Sequence, residues 1–176
     1  VDARPNQGTI RILRFVIMSI TVTRTFMFVC LLALGAASAT ADVPSRVFLN
    51  GVPTPVYFND GDSFRVLGGP LKGTKARLAG FNTLESYGRA HQWGSWTREE
   101  LSRFAYLGTM NARRGVWRCT TPDMKRDGYG RILWHCIDLA VDQVKKGLAH
   151  VMTVTAEGGH PDVVAAQADA IKHRRG

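Results

Sequence analysis

"ARLAGFNTLES", residues Ala76 to Ser86, is the stretch on which the fold turns. Its first five residues, Ala76 to Gly80, have the composition of a buried strand, and a turn follows. Arg77 sits on that strand and Glu85 comes just past its end. Between them lies Asn82, an uncharged residue where a third ionic group would make chemical sense. Taken singly, a strand arginine is usually a surface residue and a loop glutamate a solvated charge. The flanking sequence decides whether this is an ordinary strand or part of a site.

Upstream, "RVFLN", "PVYF" and "SFRVL" are short runs of branched and aromatic residues. Like "KARLAGF" they are separated by Gly, Pro and Asn-Asp clusters, and all four read as strands. Downstream, "WTREELSRFAYLGTMNARRG" predicts a helix. Thr97 and Glu100 form a capping box, Leu101, Phe104, Ala105 and Leu107 recur at helical spacing, and Gly115 ends it. "GVWRC" and "ILWHC" then read as two strands joined by a polar, Gly-containing loop. "DLAVDQVKKGLAH" reads as a helix capped by Asp138, and "HPDVVAAQADAIKHRRG" as one opened by Pro161 and closed by its basic end and Gly176. Strands, helix, strand pair and helices predict an α+β domain. A five-stranded β-barrel of the OB type with about three packed helices lets so few short strands bury a core without open edges.

The first 41 residues read differently. From Met18, "MSITVTRTFMFVCLLALGAASATA" has Arg24, a short apolar run and an Ala39-Thr40-Ala41 cleavage site, the anatomy of a secretory signal. The apolar run is short of the roughly 20 residues a bilayer crossing needs. The chain therefore divides into an extension and signal peptide, 1–41, and one domain, 42–176, that is secreted or periplasmic after cleavage behind Ala41. Cleavage removes Cys30 and leaves Cys119 and Cys136, an even pair that predicts a disulfide in an exported protein; in the cytosol the same pair would stay reduced. The 176 residues carry 23 Lys and Arg against 14 Asp and Glu, a net charge of +9. Most of that surplus lies beyond residue 41, and it favours a polyanionic partner: nucleic acid, an anionic polysaccharide or a membrane surface.

Three constellations could carry chemistry: Asp60-Gly61-Asp62 in a hairpin-like turn, Arg77 with Glu85, and Asp127, Tyr129 and Arg131 at the start of a strand. Each alone has an ordinary reading as a turn or a solvated charge. In this order they are similar to the staphylococcal nuclease, or thermonuclease, family. The matching pieces are Asp60-Gly61-Asp62-Ser63, Arg77 through Glu85, Asp127-Gly128-Tyr129-Gly130-Arg131 and Gly147-Leu148-Ala149. The resemblance runs from about Val56 to Lys172.

The resemblance implies an OB-fold nuclease that hydrolyses DNA and RNA, usually with calcium. Arg77 and Arg131 would hold the nonbridging oxygens of the transition state, and Glu85 would be the general base. Asp62, Asn82 and Thr83 would supply oxygens to the metal, with Asp60 in support, and Tyr129 and Asp127 would meet the nucleotide. After signal cleavage the protein would be a monomer without membrane association. Asn82 stands where the family usually has an aspartate, which lowers the charge of the metal site. Ser63 replaces threonine, Leu84 replaces proline, and Thr153 and Thr155 replace tyrosines. Tyr87, His91, Trp93 and Trp96 lie in an insertion-like stretch beside Glu85. They offer stacking surface or a substitute ligand on one reading, and helix packing with an exposed His91 on the other. From another class, the alternative is a non-catalytic OB module binding nucleic acid or acidic polysaccharide; such a binder has little use for Glu85.

Overall fold

The structure, a computed structural model, describes residues 44–85, 94–152 and 159–176. The signal segment with Cys30, the stretch with Tyr87, His91 and Trp93, and Thr153 and Thr155 lie outside the described residues. The described strands are β1 (Ser45–Leu49), β2 (Val52–Asp60), β3 (Ser63–Val66), β4 (Lys75–Leu78), β5 (Gly80–Thr83), β6 (Trp117–Cys119), β7 (Ile132–Trp134) and β8 (Ala149–Met152). The helices are α1 (Arg98–Arg114), α2 (Ile137–Lys145) and α3 (Pro161–Lys172). This is an α+β architecture whose sheet curls into a half-barrel compatible with an OB-like fold.

Six strands, rather than the five expected, form the main sheet in the order β6-β1-β2-β3-β4-β7, and β5 pairs with β8 separately. "KARLAGF" is therefore two strands. Gly80, at φ 91°, turns the chain out of one sheet and into the other, a conformation that costs a side-chain-bearing residue dearly. The cysteine-bearing segments are not the hairpin their sequence suggested. β6 runs parallel to β1 and β7 parallel to β4, at opposite edges of the sheet. The edges meet just beyond, where Thr120 and His135 exchange backbone hydrogen bonds of 3.0 and 2.8 Å. Cys119 and Cys136 are joined there by a disulfide.

Alternation along the strands sends Val47, Leu49, Val56, Phe58, Phe64, Val66, Ala76 and Leu78 into one core. Phe58 and Phe64 meet edge to face at 5.3 Å. α1 begins at Thr97, whose hydroxyl accepts from the backbone of Glu100 while the Glu100 side chain accepts from the backbone of Thr97. Its buried stripe is Leu101, Ala105, Gly108, Thr109 and Ala112. Leu107, expected on that stripe, is 50% exposed, because the strip facing the sheet follows the four- and seven-residue steps from Leu101.

α2 is shorter than its sequence pattern. It starts after Cys136, with Asp138 in its first turn rather than at the cap, and ends at Lys145. Gly147 then turns the chain so that Ala149–Met152 becomes the partner of β5. A glycine and a waiting strand edge override the helical spacing. α3 opens with Pro161 as the sequence indicated. Among the described residues, no helix is long and apolar enough to cross a membrane.

Candidate functional site

The site grows from the β2–β3 connection. Asp60 holds the turn together: its Oδ1 accepts from the backbone of Asp62 at 3.2 Å and from the Ser63 hydroxyl at 2.7 Å. Gly61 is needed there for space rather than for turn conformation. A Cβ would lie 2.6 Å from Cγ2 of Thr83 and 3.1 Å from the backbone of Gly108. That closeness puts Asp62 inside the protein, where it is almost fully buried.

The Asp62 carboxylate is engaged on both oxygens. Oδ2 accepts from the Thr83 amide at 2.7 Å and the Thr83 hydroxyl at 3.2 Å, and Oδ1 pairs with Nη1 of Arg77. The other terminal nitrogen of Arg77 donates to Oδ1 of Asn82, and Asn82 Nδ2 donates to the Thr83 carbonyl at 3.0 Å. Asp62, Arg77, Asn82 and Thr83 thus form one bonded cluster across the β2–β3 turn, β4 and β5. Burial pushes the Asp62 carboxyl up to about 7, with Arg77 pulling it down, Asp60 pushing it up and the Thr83 amide pulling it down. His150 stands opposite Asn82 on β8, and burial and then the Arg77 charge lower its pKa.

A second cluster is the loop before β7. Asp127 accepts from the backbones of Tyr129 and Arg131 through Oδ1, both at 2.9 Å, and from Arg131 Nε through Oδ2 at 2.7 Å. Among the described residues the terminal nitrogens of Arg131 donate no hydrogen bond, and its guanidinium lies 5.3 Å from the centre of the Tyr129 ring. Tyr129 itself is 85% exposed. Asp127, which also lines the cleft, holds Arg131. Burial favours its neutral form, but the hydrogen bonds from Arg131 and Tyr129 prevail and its pKa falls.

Arg77 of the first cluster and Asp127, Tyr129 and Arg131 of the second line one cleft of about 490 Å³, together with Glu85, Lys125 and Arg126. Glu85 is exposed at the cleft, just past β5. Lys125 and Arg126 were not singled out from the sequence, although "KRDGYGR" displays them beside the motif; strand order, not spacing, brings them to Arg77. A second cavity of about 280 Å³ lies on the Asn82 side, between Trp96, Phe104, Leu148 and His150. Trp96 packs edge-on against Phe104 of α1 at 5.1 Å.

Among the described residues, no group of three or more His, Cys, Asp or Glu side chains is gathered to hold a metal ion. The oxygens of Asp62 and Asn82 nevertheless converge on a positive group, the Arg77 guanidinium. An all-oxygen set that already faces a cation fits a hard ion such as calcium. Chemically, the cleft offers Arg77, backed by the buried Asp62 carboxylate, the Asp127-held Arg131, and the exposed carboxylate of Glu85. No family model and no curated protein matches this chain.

Proposed function

We propose that the chain is an exported phosphodiester hydrolase acting on DNA and RNA, a nuclease of the staphylococcal type built on an OB-like barrel. The observation that carries this reading is the convergence of Arg77, Glu85 and Arg131 on one basic cleft from three separate elements. A binding module needs the arginines; a carboxylate opposite them weakens the hold on a polyanion and has a use in hydrolysis.

Hydrolysis adds charge to the nonbridging oxygens of the phosphate as water attacks phosphorus. An arginine held in advance stabilises that charge without reorganising, through forked hydrogen bonds. Asp127 fixes Arg131 through Nε and leaves its terminal nitrogens for the phosphate. Glu85 takes the proton from the attacking water, the new P–O bond forms, and the bond to the departing sugar oxygen breaks. Tyr129, exposed beside Arg131, offers a face on which a base can stack. Asp62, Asn82 and Thr83, with Asp60 behind them, would hold calcium, which supplies positive charge that neutralises and orients the phosphate.

Purified protein incubated with single-stranded DNA and with RNA should cleave both when calcium is present. Arg131→Ala and Glu85→Gln should each lower the rate by about 10²–10³-fold, the usual loss on removing one transition-state contact. Glu85→Gln should still bind. Binding without cleavage by the unaltered protein would move the chain to the non-catalytic OB class, and equal cleavage by all three proteins would put the chemistry elsewhere.

A further inference from the structure

Both terminal nitrogens of Arg77 are engaged inside the protein. Its two terminal nitrogens reach Oδ1 of Asp62 and Oδ1 of Asn82, and its side chain is only 14% exposed. The remaining Asp62 oxygen is taken by the amide and hydroxyl of Thr83. The buried carboxylate is therefore neutralised from within by a guanidinium. A divalent cation seeking the same two oxygens would meet a like charge within a few ångströms, an arrangement that costs several kcal/mol.

We propose that Arg77 is the site's own competitor for the cation. The guanidinium and a hard divalent ion occupy the Asp62 and Asn82 oxygens in turn, and arrival of the ion releases Arg77 into the cleft it already lines. The residue types suit an exchange. Asn82 accepts from Arg77 with a neutral amide, whereas an aspartate there would hold both cations harder. Asp62 is buried, so its ionised form needs a positive partner. The cation then activates by freeing an arginine as well as by its own charge. This rests on the metal-assisted nuclease reading for its purpose, though not for its measurement.

Calcium chloride titrated calorimetrically into the full chain, disulfide intact and without nucleic acid, tests the exchange. Arg77→Gln, which keeps an amide donor for Asn82 and removes the charge, should bind calcium about a hundredfold tighter than the unaltered protein. Asn82→Asp should tighten binding more in the Arg77→Gln background than alone. In the unaltered protein, calcium should accelerate hydrogen exchange at the Arg77 terminal nitrogens, followed by NMR; this arm stands even if Arg77→Gln does not fold. Equal calcium affinity in folded Arg77→Gln and the unaltered chain overturns the proposal. So does calcium binding that leaves the Arg77 protons protected, or no binding by either protein. A chain that exchanges as expected yet cleaves nothing keeps the exchange and loses the nuclease reading; one that cleaves without the affinity difference does the reverse.

Discussion

Asp127 accepts three hydrogen bonds from the four residues that follow it, so its effect on a substrate passes through Arg131. Asp127→Asn removes the charge opposite Nε of Arg131 and should lower cleavage about tenfold or more. The thermal midpoint should move little, since partly exposed pairs contribute roughly 0–1 kcal/mol. Because the Asp127 pKa is lowered by folding, its contribution is present above the unfolded value of 3.8 and is lost as pH falls through the folded one. Cleavage by the unaltered chain should keep its Arg131 geometry down to about pH 4; an Arg131 NMR signal that shifts between pH 7 and 5 would contradict this. Gly61 makes a packing claim. A methyl there must displace Thr83 or Gly108, so Gly61→Ala should cost about 1–3 kcal/mol in urea unfolding. A midpoint equal to that of the unaltered protein would show that Thr83 yields freely. The sequence displays the Asp60-Gly61-Asp62 motif and suggests a hairpin turn for it. The true reason for the glycine is contact with residues more than twenty positions away, which local spacing does not reveal.

At the scale of elements, what is legible is what is local. The Thr97–Glu100 box spans three residues and reads directly from the sequence, as does Pro161 at the start of α3. The pairing of β5 with β8 joins segments about seventy residues apart, so "GLAH" looks like more helix until its partner is known. The same distance problem hid the placement of β6 and β7. Two cysteine-bearing strands in succession resemble a hairpin, yet each is an edge, and the disulfide fastens one edge of the curled sheet to the other. With the cysteines separated by 17 positions, the bridge restricts the unfolded chain by about 3 kcal/mol on the loop-entropy account. Cys119→Ala/Cys136→Ala should therefore melt well below the oxidised protein, and reduction should lower the midpoint of the unaltered chain by a similar amount. Coincident melting curves with and without reductant would mean that the Thr120–His135 bridge and the core hold the edges unaided.

Over the whole molecule, four short motifs in one order suggest the architecture and the site together, although none is specific alone. Arg77, Glu85 and Arg131 line one cleft, and Asp62 and Thr83 are buried in the cluster that holds Arg77, but that bonding is not legible in the sequence. No spacing rule says that Arg77 turns toward Asp62 and Asn82, or that Asp127 serves Arg131. The first follows from burial, which makes the buried Asp62 carboxylate take the nearest cation; the second follows from the loop, which folds Arg131 back onto Asp127. Net charge is the coarsest signal, and it has a quantitative consequence. The cleft presents Lys125, Arg126 and Arg131, with Arg77 engaged behind them. Each phosphate neutralised on a single strand releases counterions and steepens the dependence of log K on log salt by about 0.7. Glu85→Gln, which should bind without cutting, allows that slope to be measured between about 50 and 200 mM salt. Adding Lys125→Ala and Arg126→Ala should flatten it by about 1.4 if each side chain meets one phosphate, with affinity falling alike for every base sequence. Arg77→Gln in the same background should flatten it only when calcium is present, because without calcium the guanidinium is held by Asp62. A slope indifferent to Lys125 and Arg126 would mean that the strand runs instead over the separate cavity beside Trp96, where the lining is mostly apolar and salt has little to act on.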